Sequence, residues 1–444
     1  MNIKTVCKKL GVGLCLFSSI ASPIAVFAQE QTTQVDLSAK SAMAIDATNG
    51  QILFESNSKK PVEIASITKL MTVYLTYKAI DEGKLSLDTK VSISDHAYAI
   101  SQDYNIANVP LRQDVQYKVG DLLESIGITL ANGSAVALAE QVAGSEEAFA
   151  KQMNQQLADW GIQGTDLVNA TGLSDKYQPQ DKESIKQGEQ QKLSAEAVAV
   201  ISYHLVKEHP EFLKYTQTPK KFFQKGTDDE FEMRNYNEML AGRQYEYEGV
   251  DGLIIGSAAH DGEALVSTTQ RNGFRVISVA LGSEDSAARY DDSKRMYDYV
   301  YAAYMSQHVV SKGDKVTQGG DIESANARQA TVPLSYGRDL DLVVPVVDTT
   351  PRLDYQFSQS KSYFNNKGQL KAPLKAKTVV GQMTIRPKGA NVHYLPSAVA
   401  NKVDVVNSQE VKEAPWYLKV WRFLVNLVIG IMEWFRKFFT SLFN

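Results

Sequence analysis

Cysteine is almost absent from this chain. Of 444 residues only Cys7 and Cys15 are cysteines, and both fall within the first 28. Those 28 residues read as a secretory signal peptide. Lys4, Lys8 and Lys9 form a basic start, an apolar stretch follows, and Val26-Phe27-Ala28 makes a cleavage site before Gln29. A transmembrane anchor is the competing reading, but the apolar run is short and broken by Ser and Pro. Leu14 before Cys15 is poorly suited to lipoprotein processing. A mature chain without cysteine excludes disulfides, a thiol nucleophile and a Cys-ligated metal. The six histidines show no HxxxH or HExxH spacing, so metal-dependent hydrolysis is not indicated and no cofactor is expected. A strong charge excess is missing too. The formal net charge is -4 with 22% charged residues, which gives no reason to expect a nucleic-acid partner. Internal repeats are absent.

Between the ends, residues 41–55 alternate as two short strands around Thr48-Asn49-Gly50, a hairpin signal. An apolar helical run follows and stops at Asp81-Glu82-Gly83. Helical patterns recur at 119–143, 145–160, 193–208 and 286–305, and strand patterns at 263–269 and 274–282. Helices with a mostly antiparallel sheet make an α+β domain. The character changes near Ser311-Lys312-Gly313-Asp314. Beyond it, short β-rich runs such as 340–347 and 378–385 predict a small all-β domain. The expected organisation is a signal peptide over 1–28, an α+β domain over 29–310, a β-rich domain over 311–402, a polar linker over 403–414 and a final helix over 415–444. The Gln-rich patch at 178–192 reads as an exposed loop.

That final helix is amphipathic. At 100° per residue, Lys419, Arg422, Asn426, Glu433, Lys437 and Thr440 fall on one narrow stripe, and apolar residues including Trp416, Trp421 and Trp434 fill the rest. Its longest uncharged run, Phe423 to Met432, is too short to span a bilayer. The pattern predicts a helix lying in a membrane surface, with packing on a partner or core as the alternative. Export followed by such a helix places the protein at the outer face of the cell membrane.

Chemistry points to Ser66-Ile67-Thr68-Lys69, at the start of the helical run Leu70 to Leu75. Positions i and i+3 share a helix face, so a neutral Lys69 amine can take the Ser66 proton and make an acyl-transfer nucleophile without histidine. The bare S-x-x-K pattern is weak, since one or two chance matches are expected in roughly 440 residues. Ser56 to Lys59 and Ser358 to Lys361 match as well, but in polar stretches with no helix behind them. The bland alternative is an N-cap serine with a solvated lysine one turn on.

With its context, the motif resembles the low-molecular-mass penicillin-binding proteins, the serine D-Ala-D-Ala carboxypeptidases. The resemblance runs through Ala44 to Gly50, Ala65 to Thr72, Asn132 to Glu140, Met153-Asn154, Thr165, Asn169 to Leu173, Asn235 to Asn237 and Gly249 to Leu253. It implies a β-lactamase/DD-peptidase-like fold: an antiparallel sheet flanked by helices plus an all-helical lobe, then the β-domain and the amphipathic tail. It also implies that Ser66 attacks the carbonyl of the penultimate D-Ala of a peptidoglycan stem peptide. Lys69 is then the general base, the Ser66 amide part of an oxyanion hole, and β-lactams trap the same step. The other two family motifs are degenerate here. Leu130 stands where S-x-N has its serine, although Asn132 is kept. Ile254 and Ile255 stand where K-T-G has lysine and threonine, followed by Gly256. Leu130 cannot relay a proton, and neither isoleucine can hold a terminal carboxylate. Thr129 and Ser134, taken as helical, point away from position 130. His260, Asp261, Arg271, Arg275 and Lys221 read as surface charges.

Two functions follow. One is a serine hydrolase acting through a Ser66 acyl-enzyme, with activity impaired by these losses. The other is a catalytically inactive peptidoglycan-binding or scaffold protein of the cell wall.

Overall fold

The segment Ser41–Asp46 is buried at every position, which is the signature of a strand covered on both faces. In the computed structural model, strand β1 (Ser41–Asp46) lies inside a five-stranded antiparallel sheet. The sheet's other strands are β2 (Ile52–Ser56), β9 (Val250–Ala258), β10 (Gly262–Arg271) and β11 (Phe274–Ser283), in the order β2-β1-β11-β10-β9. Side chains alternate across a strand, and the alternation divides the apolar residues between two cores. Met43, Ile45, Ile277, Val279 and Val266 join the larger core; Ala42, Ala44, Val276, Ala280 and Leu265 join the smaller one on the other face. The structure describes residues 35–177, 191–317, 319–348, 350–389 and 391–442. The expected signal peptide lies outside the described residues, as does most of the Gln-rich patch. Of that patch's end, Gln191 is buried and Lys192–Leu193 form strand β6, paired with β3 (Val62–Glu63).

The larger core is built by helices. α1 (Lys69–Asp81) buries ten of its thirteen residues, and α6 (Ala195–Glu208) packs against it and the sheet. Such all-round burial explains why α1 reads as a continuous apolar run. α2 (Asp95–Ser101), α3 (Val119–Thr129), α4 (Asn132–Ala143) and α5 (Glu146–Asp159) make the helical lobe. The single helical pattern expected over 119–143 is two helices, broken at Leu130 and Ala131. Leu130 is left-handed, with φ 59° and ψ 32°. Both helices are apolar, so periodicity alone does not reveal the break. α7 (Leu213–Thr216) follows, and α8 (Ala288–Ala303) covers the smaller core.

The β-rich domain begins earlier than expected. β12 (Tyr304–Val310) continues directly from α8 and pairs with β15 (Leu340–Pro345), so the change of domain falls at Tyr304 rather than 311. A six-stranded sheet follows. It contains β13 (Asp321–Ala325), β14 (Thr331–Tyr336), β16 (Leu353–Gln359), β17 (Leu370–Lys371), β18 (Val379–Pro387) and β19 (Lys402–Asn407). The linker expected over 403–414 is therefore corrected. β19 lies between β18 and β14, and Val403, Val405 and Val411 are fully buried. Alternating valines between polar residues gave this stretch a polar average while one face was apolar. α9 (Trp416–Leu442) ends the described chain.

Candidate active site

Ser66 sits in one 3-10 turn, Ala65–Thr68, that runs directly into α1. The turn leaves Ser66 half-buried and seals Lys69 completely. One helical turn apart, they meet: Lys69 Nζ lies 3.0 Å from Ser66 Oγ. Lys69 Nζ also donates to the Thr171 carbonyl at 2.8 Å. Loss of water around the buried ammonium lowers the lysine pKa from 10.5 to about 7. A neutral amine has two N–H groups and one lone pair. Thr171 takes one N–H, and the lone pair is available for the Ser66 proton.

The loop carrying Thr171 is itself held in shape. Asn169 Oδ1 accepts from the Thr171 and Gly172 amides at 3.1 and 2.7 Å and from Gln191 Nε2 at 2.7 Å. Gly172 has φ +79°, and a Cβ there would lie 1.8 Å from the Ala65 carbonyl oxygen. Loop and nucleophile turn thus touch backbone to backbone, with Ala65 itself in a left-handed conformation at φ 43°. Sequence reasoning gave Thr171 no role. The Asn-x-x-Gly turn was the available signal, but nothing local says that its carbonyl faces a lysine 102 positions away.

Leu130 occupies the connector between α3 and α4, 9% exposed and part of the larger core. It lies off any helix, correcting the helical geometry assumed for it. Nearby, Ser134 Oγ accepts from Ser125 Oγ at 2.7 Å, which ties it to α3. Asn132 opens α4. Its Nδ2 and its backbone amide both donate to the Ala107 carbonyl, at 2.9 and 3.0 Å, while its buried Oδ1 has no hydrogen-bond partner among the described residues. Ala107 lines a cavity of about 370 Å³ together with Tyr104, Ile106, Asn108, Phe231 and Tyr236.

Strand β9 closes on the nucleophile turn. A Cβ at Gly256 would meet the Ile64 carbonyl oxygen at 2.9 Å and the Ile67 side chain at 3.2 Å. Ile254 shares the face of Gly256, two residues along, and is 3% exposed; Ile255 is half-buried and packs against both cores. The nearby cations are engaged. Arg289 Nη1 reaches the Gly256 carbonyl at 3.4 Å but binds Glu263 at 2.5 Å. Arg275, expected at the surface, is largely buried and donates twice to Asp251, at 2.9 and 2.8 Å. Lys221 pairs with Glu124, and Asp261 with Lys40. Among the described residues, no three His, Cys, Asp or Glu side chains gather as a metal site.

Comparison with known proteins gives this geometry its lineage. Residues 27–285 match the family model for D-alanyl-D-alanine carboxypeptidase. The chain belongs to that family. Residues 304–413 match the C-terminal domain of penicillin-binding protein 5. The carboxypeptidase relatives include DacF of Bacillus subtilis, 25% identical over 403 residues, which are 91% of this chain and 95% of the relative. Among solved structures, a peptidoglycan synthesis regulatory factor (PBP3) from Streptococcus pneumoniae is 33% identical, with a TM-score of 0.72. The match covers 85% of this chain and all of that one. Penicillin binding protein 5 from Haemophilus influenzae shares the fold, with a TM-score of 0.64 at 22% identity, over 85% of this chain and 98% of that one. The carboxypeptidase family thus accounts for the α+β domain and for the β-domain that follows it.

Proposed function

We propose that this protein acts on peptidoglycan stem peptides through a Ser66 acyl-enzyme, with D-Ala release strongly impaired. The observation that carries the proposal is the 3.0 Å contact between Ser66 and a fully buried Lys69. Ser66 Oγ attacks the carbonyl of the penultimate D-Ala while Lys69 takes its proton, and the Ser66 amide contributes to the oxyanion hole. Asn132 opens α4 and is held on the Ala107 carbonyl, and Gly256 lets β9 approach the turn. The impairment comes from three side chains. Leu130 hands no proton to a departing amine, and Ile254 and Ile255 offer a terminal carboxylate neither charge nor donor. A lost charge-assisted contact costs about 2–3 kcal/mol, and a lost transition-state donor about 10²–10³ in rate, without strict additivity. In this reading residues 1–28 export the chain and α9, whose apolar side chains are exposed, lies in the membrane surface, so the site works on the wall side of the membrane.

A second reading, a catalytically inactive wall-binding or scaffold protein, is favoured by the coincidence of those three replacements in one site. Labelling with a fluorescent penicillin separates the two. Under the first reading the protein labels, and Ser66→Ala does not. Absence of labelling, restored by Leu130→Ser with Ile254→Lys and Ile255→Thr, supports the second. Free D-Ala released from a stem pentapeptide measures turnover directly, and a rate typical of an intact carboxypeptidase would refute the impairment.

A further inference from the structure

The three replacements do more than subtract activity; each changes what a substrate must bring. On β9, Ile254 is buried and Ile255 half-buried, both packed among apolar side chains. Arg289, whose guanidinium reaches the Gly256 carbonyl on β9, is 6% exposed and committed to Glu263. Arg275 is committed to Asp251. Among the described residues these two guanidinium groups are thus already paired, so an anionic group placed along β9 would give up its water without gaining their charge, whereas a neutral group there meets matching apolar surface. Position 130, where the family motif has its serine, holds an aliphatic side chain with no proton to hand a departing nitrogen. Among the described residues, the proton carrier that contacts Ser66 is Lys69, sealed from solvent and tied to the Thr171 carbonyl. An amine cannot leave as its anion; a thiolate or phenolate can.

Resting on the acyl-transfer reading of Ser66, we infer that this site is selective for uncharged, activated acyl donors, namely neutral thioesters and aryl esters, over carboxylate-bearing amides. In the acylation step the Ser66 Oγ–carbonyl carbon bond forms and the carbon–sulfur bond breaks. The thiolate departs with the bonding pair, and the Ser66 proton rests on Lys69 Nζ. Water then attacks the acyl-Ser66 ester, Lys69 Nζ returns its proton to the Oγ, one water proton stays on the departing carboxylic acid, and the other passes to solvent as the counterpart of the released thiolate. No oxidant or co-reactant is required.

The test uses the full chain and two probes that differ by one negative charge: N-benzoyl-D-alanyl thioesters of thioglycolic acid and of its methyl ester. Thiol release is followed continuously, Ser66→Ala supplies the background, and intact mass locates the acyl adduct. The expected result is Ser66-dependent release with kcat/KM at least about tenfold higher for the methyl ester. The matching glycine methyl ester amide should react at least about 100-fold more slowly than the neutral thioester. Ser66-dependent release that is equal for the two thioesters, or faster for the acid, overturns the selectivity and leaves Ser66 acylation standing. So does an amide turned over as fast as the neutral thioester. No Ser66-dependent release and no adduct with either thioester removes both.

Discussion

At the scale of single residues, Lys69 stands out because it is fully buried and, among the described residues, no carboxylate pairs with it. Desolvation brings its pKa to about 7, so the free amine becomes the majority form as pH rises through neutrality. Ser66 acylation should therefore rise sigmoidally with pH, with a midpoint near 7, as measured by stopped labelling across pH 5.5–9. The stability sign follows from the same shift. Unfolded lysine titrates near 10.5, so between about pH 7 and 10.5 the unfolded chain binds more protons and this residue's destabilising contribution fades with rising pH. Lys69→Met should abolish acylation and flatten that part of the stability profile in denaturant titrations. A flat acylation profile through neutrality would show that Lys69 is not the base. The Ser66–Lys69 spacing and the aliphatic residues at 130, 254 and 255 can be read from sequence alone, because they depend only on residue identity and local spacing.

At the scale of elements, the site is where a 3-10 turn, a β-strand edge and an Asx-type loop are forced together. Gly172 is the tightest point, since any side chain would overlap the Ala65 carbonyl and the residue also has positive φ. Gly172→Ala should destabilise the fold by roughly 2–3 kcal/mol or more and reduce Ser66 labelling in the fraction that stays folded. Urea titration and labelling per folded molecule check both parts. Unchanged stability would mean that the loop does not press on the turn as described. The elements themselves were largely readable: hairpin β1–β2, α1, α5, α6, β10 and β11 follow from period and turn residues. The break at Leu130 was not, because two apolar helices in sequence look like one until a left-handed residue separates them. β19 was missed because a strand with one apolar face looks polar on average.

At the scale of the whole molecule, α9 presents a large apolar surface. Trp416, Trp421, Phe423 and Trp434 are each at least 60% exposed. At its start, Arg422 donates to the Ala327 carbonyl at 2.7 Å, and Lys419 pairs with Glu413 at 2.7 Å, so part of the polar stripe faces the β-domain. Among the described residues no helix is long and apolar enough to cross a membrane. A chain truncated after Ala414 should lose vesicle binding in flotation assays while keeping its Ser66 labelling, because α9 contributes no residue to the site. Retained binding would mean that another surface holds the membrane. The body of the protein is joined across its two domains by direct contacts. Asn49 Nδ2 donates to Asn401 Oδ1 at 2.7 Å, and His204 bridges Glu208 and Ser397. These pairs lie 352 and 193 positions apart and carry no sequence pattern that would announce them.

By itself, the sequence determined the Ser66–Lys69 pair and its spacing, the aliphatic residues at 130, 254 and 255, and the amphipathic tail. Each depends on residue identity and short-range spacing. Only the tertiary structure decided that Lys69 is dry, that the Thr171 carbonyl holds it, and that Arg289 and Arg275 are already taken. Burial and hydrogen-bond partners are set by chain segments far apart in sequence, and desolvation exists only once those segments have closed around the amine.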